Sequence, residues 1–322
     1  MLSELMSERL NIDKHFIENI SNKSNKYYRI YEINKRDGGK RLIYHPSPVL
    51  KTFQYWLVDN IFKHLPVSKY STAYGKGCSI KKNALLHLNK KHILHSDIVD
   101  FFPSIKDNHI IELIKENETL INKIIGFSIQ QNDIDLIIGL TLYEKHLTIG
   151  SVSAPIISNL IMYNIDNELG VIGDNYNCTY SRYADDMVFS SNEYIPADIV
   201  KHISEVLKVG GFMINNKKTY FMNSKNRKIV TGVIVNNKRL TVGRKKRDEI
   251  KKMVYLKCKF NFGDSNIIKG NLSFLKDIDP YYYNKIIIKY SKYGNIHEIL
   301  KGDLVDSTQV FREVAATEEG DE

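Results

Sequence analysis

The stretch TYSRYADDMVFSS (residues 179–191) places two adjacent carboxylates, Asp185 and Asp186, between two runs rich in aromatic and β-forming residues. Neighbouring anions repel each other and both prefer water to a sheet, so few local structures tolerate them. Two readings satisfy that constraint. The pair is either the polar tip of a hairpin, since Asp accepts turn geometry, or a seat for a cation that turns repulsion into affinity.

The flanking pattern sets the context. YYRIYEINKRDGGKRLIYHPSP alternates apolar and polar residues on both sides of Asp37-Gly38-Gly39 and predicts a hairpin. VLKTFQYWLVDNIFKHL has helical period, with Leu50, Phe53, Leu57 and Ile61 on one face. HILHSDIVDFF reads as a buried strand ending near Asp97, and residues 108 to about 143 read as helical. SAPIISNLIMYNIDNEL is a helix with Pro155 in its first turn, and PADIVKHISEVLKVGG is another, ending at Gly210-Gly211. KIVTGVIVNNKRLTVG predicts a second hairpin, turning at Asn236-Asn237. Strands and helices interleaved in this way imply a sheet covered on one face. Such a sheet can carry Asp97, at the end of one strand, to the tip of the 179–191 hairpin. The expected fold class is therefore α+β.

Charge narrows the partners. The 46 Lys and Arg residues against 37 Asp and Glu give +9, although the last ten residues, EVAATEEGDE, are acidic. The excess gathers in NNKRLTVGRKKRDEIKKMVYLKCK, residues 236–259. A basic stretch of this kind favours a polyanion, although a solvated Lys-rich helix face would read the same way. Three dispersed cysteines, Cys78, Cys178 and Cys258, suggest neither a disulfide framework nor a CxxC metal site and fit a reducing cytoplasm. The first residues lack the order of a signal peptide, and no apolar run approaches the roughly 18 residues that span a bilayer. A cytoplasmic chain with no membrane partner is expected.

Asp97, Asp185 and Asp186 together offer hard oxygen ligands suited to two Mg²⁺ ions about 4 Å apart, the arrangement for in-line phosphoryl transfer. With these residues the chain resembles a family. SRYADD (181–186) is similar to the YxDD hairpin of reverse transcriptases, and HSDIVDFFPSI (95–105) to their first palm motif. LTIGSVSAPIISN (147–159) and GFMINNKKT (211–219) resemble the next two motifs in order. NALLH (83–87) and VTG (230–232) match the NAxxH and VTG signatures of bacterial retron enzymes. Thr148 and Ile149 stand where relatives mostly carry Pro-Gln, which alters the floor of the nucleotide pocket.

The resemblance implies a right-hand polymerase. Its expected parts are a helical lead-in (1–25), fingers (26–95, interleaved with palm), a palm with an antiparallel sheet covered by helices (96–235), a basic and aromatic helical thumb (236–312) and an acidic tail (313–322). It implies a metal set of Asp97, Ile98, Asp185 and Asp186, with Lys218 as general acid toward the leaving pyrophosphate. Arg41, Phe102 and Gly150 would bind the incoming dNTP, Phe102 as the gate against a ribose 2′-OH. Asn83, His87, Arg244, Lys245, Lys246, Arg247 and Tyr255 would handle RNA. Other rings such as Tyr281 and Tyr283 would stack on bases. The implied activity is copying a dedicated structured RNA into DNA from an internal guanosine 2′-OH, in phage defence alongside an effector protein. The alternatives are another bacterial reverse transcriptase, of group II intron or abortive-infection type, and a catalytically silent RNA-binding scaffold.

Overall fold

The computed structural model describes residues 1–34, 38–236, 238–293 and 296. Numbered in chain order, the elements begin with α1 (Leu2–Leu10), α2 (Lys14–Asn22), β1 (Tyr28–Asn34), β2 (Lys40–Pro46), α3 (Pro48–Asn60), α4 (Ile80–Leu86) and β3 (His92–Asp97). Then come α5 (Phe101–Ser104), α6 (Asp107–Glu116), α7 (Glu118–Ile125), α8 (Gln131–Thr141), α9 (Ala154–Asn175), β4 (Thr179–Tyr183), β5 (Asp186–Ser191) and α10 (Ile199–Val209). The last are β6 (Tyr220–Met222), β7 (Ile229–Val230), β8 (Val233–Ile234), α11 (Arg244–Phe260), α12 (Ser265–Ile278) and α13 (Pro280–Tyr290). Together they form two compact units: residues 1–79 with 92–221, and residues 80–91 with 222 onward.

In the first unit, β1 and β2 pair antiparallel from Tyr28↔Pro46 to Asn34↔Lys40. Gly38 and Gly39 lie past the turn with positive φ, while Asp37 falls outside the described residues. The main sheet runs β4-β5-β3-β6. Ile93, Leu94, Met187 and Phe189 in β3 and β5 are fully buried, the near-continuous apolar burial expected of a covered sheet. α9 spans 22 residues because Pro155 starts it in the first turn and no further proline interrupts it. It buries Ile157, Leu160 and Leu169 on more than one side, and also two polar residues, Asn159 and Asp166, the latter bonded to Tyr180 and Arg182 of β4. The stripe Leu50, Phe53, Leu57 and Ile61 predicted for α3 is fully buried, and the Ser47 hydroxyl caps the helix by accepting from the Leu50 N–H.

Three expectations differ. The stretch from residue 108 is three helices, α6 to α8, divided at Asn117 and at Gly126. The opening residues are helical but more than a lead-in, because Leu2, Met6, Ile17 and Ile20 are completely buried in the unit's core; nine-residue helices give too short a window for that period to show. Residues 80–91, expected in the fingers, group with the second unit.

The second unit holds α4, the small sheet β7-β8 and the helices α11, α12 and α13. Its strands reverse twice, once before the expected position and once across it. Val230 pairs with Val233, so the chain reverses at Thr231-Gly232, both at positive φ, and Ile234 bridges onward to Thr241. Ile234 and Thr241 exchange both backbone hydrogen bonds, so the chain reverses again across the expected Asn236-Asn237 segment, while packing of Val230 and Val233, both fully buried, fixes the register of the first turn. Asn237 and the acidic tail 313–322 lie outside the described residues.

Candidate active site

The antiparallel register of β3 and β5 sets Asp97 directly opposite Asp186, and β4 and β5 close around Ala184-Asp185. One carboxylate oxygen from each of Asp97, Asp185 and Asp186 lies within 4.8 Å of the others. The polar-turn reading is thus incomplete: the hairpin tip meets a third carboxylate delivered by a different strand. Ile98 follows Asp97 with its N–H donating to the Asp185 carbonyl at 3.3 Å, which ties the two motifs together through the backbone.

Electrostatics at the tip are unfavourable without a cation. Burial raises the Asp185 pKa, and the charge of Asp97 adds to it. Burial pushes Asp186 up to about 6; His95 pulls against that, while Asp185 and Asp97 reinforce it. Lys218 supplies part of the missing charge. Its Nζ lies 2.9 Å from Asp97 Oδ2, and this bond raises its pKa above the ordinary lysine value. Asn215 Nδ2 donates to the other Asp97 oxygen at 3.1 Å. An all-oxygen donor set, repelling itself and already drawing in an ammonium, fits a hard divalent cation.

Of the predicted nucleotide contacts, Arg41 is electrostatically coupled to this cluster, while Phe102 and Gly150 are set by their own surroundings. Arg41, exposed on β2, is near enough to Asp185 to lower its pKa. Phe102 opens α5 just past Asp100, whose φ is 42°, and is only partly buried against Phe101, with ring centroids 5.4 Å apart. Gly150 has φ 108°, and a Cβ there would come 2.8 Å from the Tyr44 carbonyl oxygen, so only glycine fits. The neighbouring Ile149 uses its backbone instead of its side chain: its carbonyl accepts from the Tyr44 N–H at 2.8 Å.

Two residues near the tip carried no sequence motif that identified them. His95, two residues before Asp97 and so on the same face of β3, places Nε2 3.5 Å from Asp186 Oδ1 and stacks on Tyr220 at 5.0 Å. Period-two spacing could have flagged it. Tyr74, half exposed at φ 64°, feels Asp185 electrostatically, and burial pushes its phenol up to about 12.

In the second unit the RNA expectations divide. Arg244 and Lys245 are exposed on α11, and Lys246 is half-buried beside Glu249 at 3.3 Å. Arg247 is committed within the unit, 3.9 Å from the buried Asp279 carboxylate and over the Tyr282 ring at 4.9 Å. Tyr255 is partly buried against Tyr290 and Phe260, with Lys259 over its ring. Asn83 and His87 require correction as RNA contacts. Both are 0% exposed, because the shared face that their four-residue spacing creates points inward. Asn83 Nδ2 reaches the Thr231 hydroxyl at 3.5 Å, so NAxxH and VTG meet in one structural lock. Tyr283 is likewise buried and cannot offer its ring to a base.

Comparison with known proteins identifies the family. Residues 33–251 match the family model described as reverse transcriptase (RNA-dependent DNA polymerase). The chain is 33% identical over 287 residues to the retron Ec73 reverse transcriptase of Escherichia coli, covering 81% of this chain and 86% of that protein. It is 28% identical to the retron Ec86 reverse transcriptase of the same organism, over 82% of this chain and 81% of that one. Among solved structures, apo telomerase from Candida tropicalis aligns with a TM-score of 0.47 and 12% identity over 90% of this chain and 58% of that one. A carboxylate triad delivered by β3 and the β4-β5 hairpin, inside a matched segment spanning most of the chain, places this protein in the reverse transcriptase family, among the retron enzymes.

Proposed function

We propose that this RNA-directed DNA polymerase works at the tip of the β4-β5 hairpin, with Asp97, Asp185 and Asp186 holding two Mg²⁺ ions. The observation that carries the reading is the convergence of three carboxylates from two separate motifs to within 4.8 Å. Magnesium held there supplies the charge that acidifies an attacking hydroxyl and steadies a leaving pyrophosphate. The remaining roles belong to the chain. Arg41 grips the triphosphate, for which a guanidinium offers paired donors. The half-buried Phe102 ring fills the space a ribose 2′-OH would need, and Gly150 lets the pocket floor approach the fingers hairpin. Lys218, half exposed on a flexible stem, leaves Asp97 and donates a proton to the pyrophosphate.

By its likeness to retron reverse transcriptases, the template is a dedicated structured RNA and the primer an internal guanosine 2′-OH, so the DNA product stays joined to RNA. The same likeness supports a cytoplasmic role in phage defence with an effector protein. The exposed bases of α11 neutralise the RNA backbone. No helix among the described residues is long and apolar enough to cross a membrane. RNA-templated incorporation of dNTPs tests the site: Asp185→Asn with Asp186→Asn should lower it by at least about 10²- to 10³-fold. Retained incorporation would remove the aspartates from the site, whereas a parent chain that incorporates nothing would support the silent-scaffold alternative.

A further inference from the structure

Beneath the catalytic turn lies an ion pair that the polymerase chemistry leaves unused. Arg182 on β4 and Asp166 on α9 are both 0% exposed. The guanidinium grips the carboxylate with two bonds, Nε to Oδ1 at 2.8 Å and Nη2 to Oδ2 at 2.7 Å. Its remaining nitrogen, Nη1, donates to the Ala184 carbonyl at 2.8 Å and to Asn159 Oδ1 at 3.3 Å. The Tyr180 hydroxyl donates to Asp166 at 2.9 Å. Asn159 in turn accepts from the Ser71 hydroxyl and donates to the Ala73 carbonyl. The backbone of Arg182 is held as well, its N–H donating to the Tyr70 carbonyl and its carbonyl accepting from the Thr72 N–H.

A buried ion pair is weak evidence for stability, because desolvation of both ions offsets their attraction. What this pair does geometrically is specific. Ala184 sits at φ 59°, a conformation an alanine does not favour unaided. It is also the residue immediately before the two aspartates. A planar fork with one arm on the carboxylate and the other on the Ala184 carbonyl fixes that residue against α9. Lysine has one nitrogen and cannot span both.

We infer that Arg182, clamped by Asp166, is a positioning residue for polymerisation: it holds the Ala184 carbonyl and thereby aims Asp185 and Asp186 at Asp97. This rests on the reading of the three aspartates as the cation seat. The carboxylates must keep their mutual geometry despite repulsion before a cation arrives; the Ile98 N–H holds the Asp185 carbonyl on one side of the tip, and the Arg182 fork holds the Ala184 carbonyl on the other.

Three variants of the full chain test this. Arg182→Lys keeps the charge but not the fork. Arg182→Met combined with Asp166→Leu removes both charges at similar volume and leaves no unpaired ion. Tyr180→Phe removes a bond to Asp166 and leaves the Ala184 contact alone. Each is measured for Mn²⁺ affinity without nucleic acid, by the electron paramagnetic resonance of free Mn²⁺. Primer-extension kcat and the dNTP KM, and melting temperature, are measured in parallel. The first two variants should bind Mn²⁺ about tenfold more weakly and lose about 10- to 100-fold in kcat, with KM changed far less; Tyr180→Phe should match the parent. Where the double variant fails to fold, Arg182→Lys carries the test. Parental Mn²⁺ affinity and kcat in the folded Arg182 variants would overturn the positioning role, as would a kcat loss that cooling below the melting transition restores. Asp186→Asn runs alongside. Unchanged Mn²⁺ affinity there would overturn the cation-seat reading itself, whereas a loss there with parental Arg182 variants overturns only the role of Arg182.

Discussion

Phe102 shows how much one ring can decide. It stands partly exposed in the first turn of α5, packed on Phe101 and the edge of the core, and under the proposed function its bulk is what excludes a ribose 2′-OH. Replacing it with Val or Ala should admit ribonucleotides. Primer extension with rNTPs checks this, and unchanged discrimination would reduce Phe102 to a packing residue. The carboxylate triad was legible because four ordered motifs pointed to it, and the two that carry its aspartates lie on a strand and a hairpin that alternation and turn chemistry had located. Arg182 was not legible, although it stands within the quoted SRYADD. Nothing in a one-dimensional pattern distinguishes an arginine facing water from one bidentate to a residue on α9. Ile149 marks a related limit: its side chain differs from the family pattern, yet its contribution to the fold is a backbone carbonyl, which any residue supplies.

At the scale of elements, α4 and the β7-β8 turn exchange the roles that sequence suggested. A helix that pairs Asn83 and His87 on one face can present that face to RNA or to its own unit, and spacing is silent on which. Burial decides it. Thr231 adopts φ 46°, an outlier for a β-branched residue, and the bond from Asn83 is part of what holds it there. Asn83→Ala should therefore cost about 1–2 kcal/mol of stability, read from chemical denaturation, while RNA-independent activity on an annealed primer persists in the folded fraction. His87 adds a pH dependence. Burial, and secondarily Lys90, lowers its pKa from the ordinary 6.5 to about 3. Between those values the unfolded chain binds the extra proton and the folded one does not. Stability from this group is thus fully present above pH 6.5 and falls as pH drops toward 3, by a few kcal/mol as an order of magnitude. His87→Gln should flatten the decline of melting temperature between pH 7 and 5; a parental slope would count against the buried neutral imidazole.

For the whole molecule, net charge and its placement govern the encounter with RNA. Changing Arg244, Lys245, Lys246 and Arg247 to Ala should weaken binding to all RNAs alike and flatten the salt dependence of the affinity. A normal salt slope in that variant would remove α11 from the interface. Arg247→Ala alone should behave differently, costing about 1 kcal/mol of stability, because its charge serves Asp279 and Tyr282. The division of the chain has a further consequence, in time. The lock between Asn83 and Thr231 joins residues 148 positions apart. During synthesis at about 5–20 residues per second, α4 emerges on the order of ten seconds before its partners exist. Through that interval the residues that will become its buried face, Asn83, Ala84 and His87, have nothing to close upon. The unit that carries the basic helix can mature only after the catalytic strands have been made. A ribosome-bound nascent chain therefore holds all three of Asp97, Asp185 and Asp186 before the basic helix α11 exists.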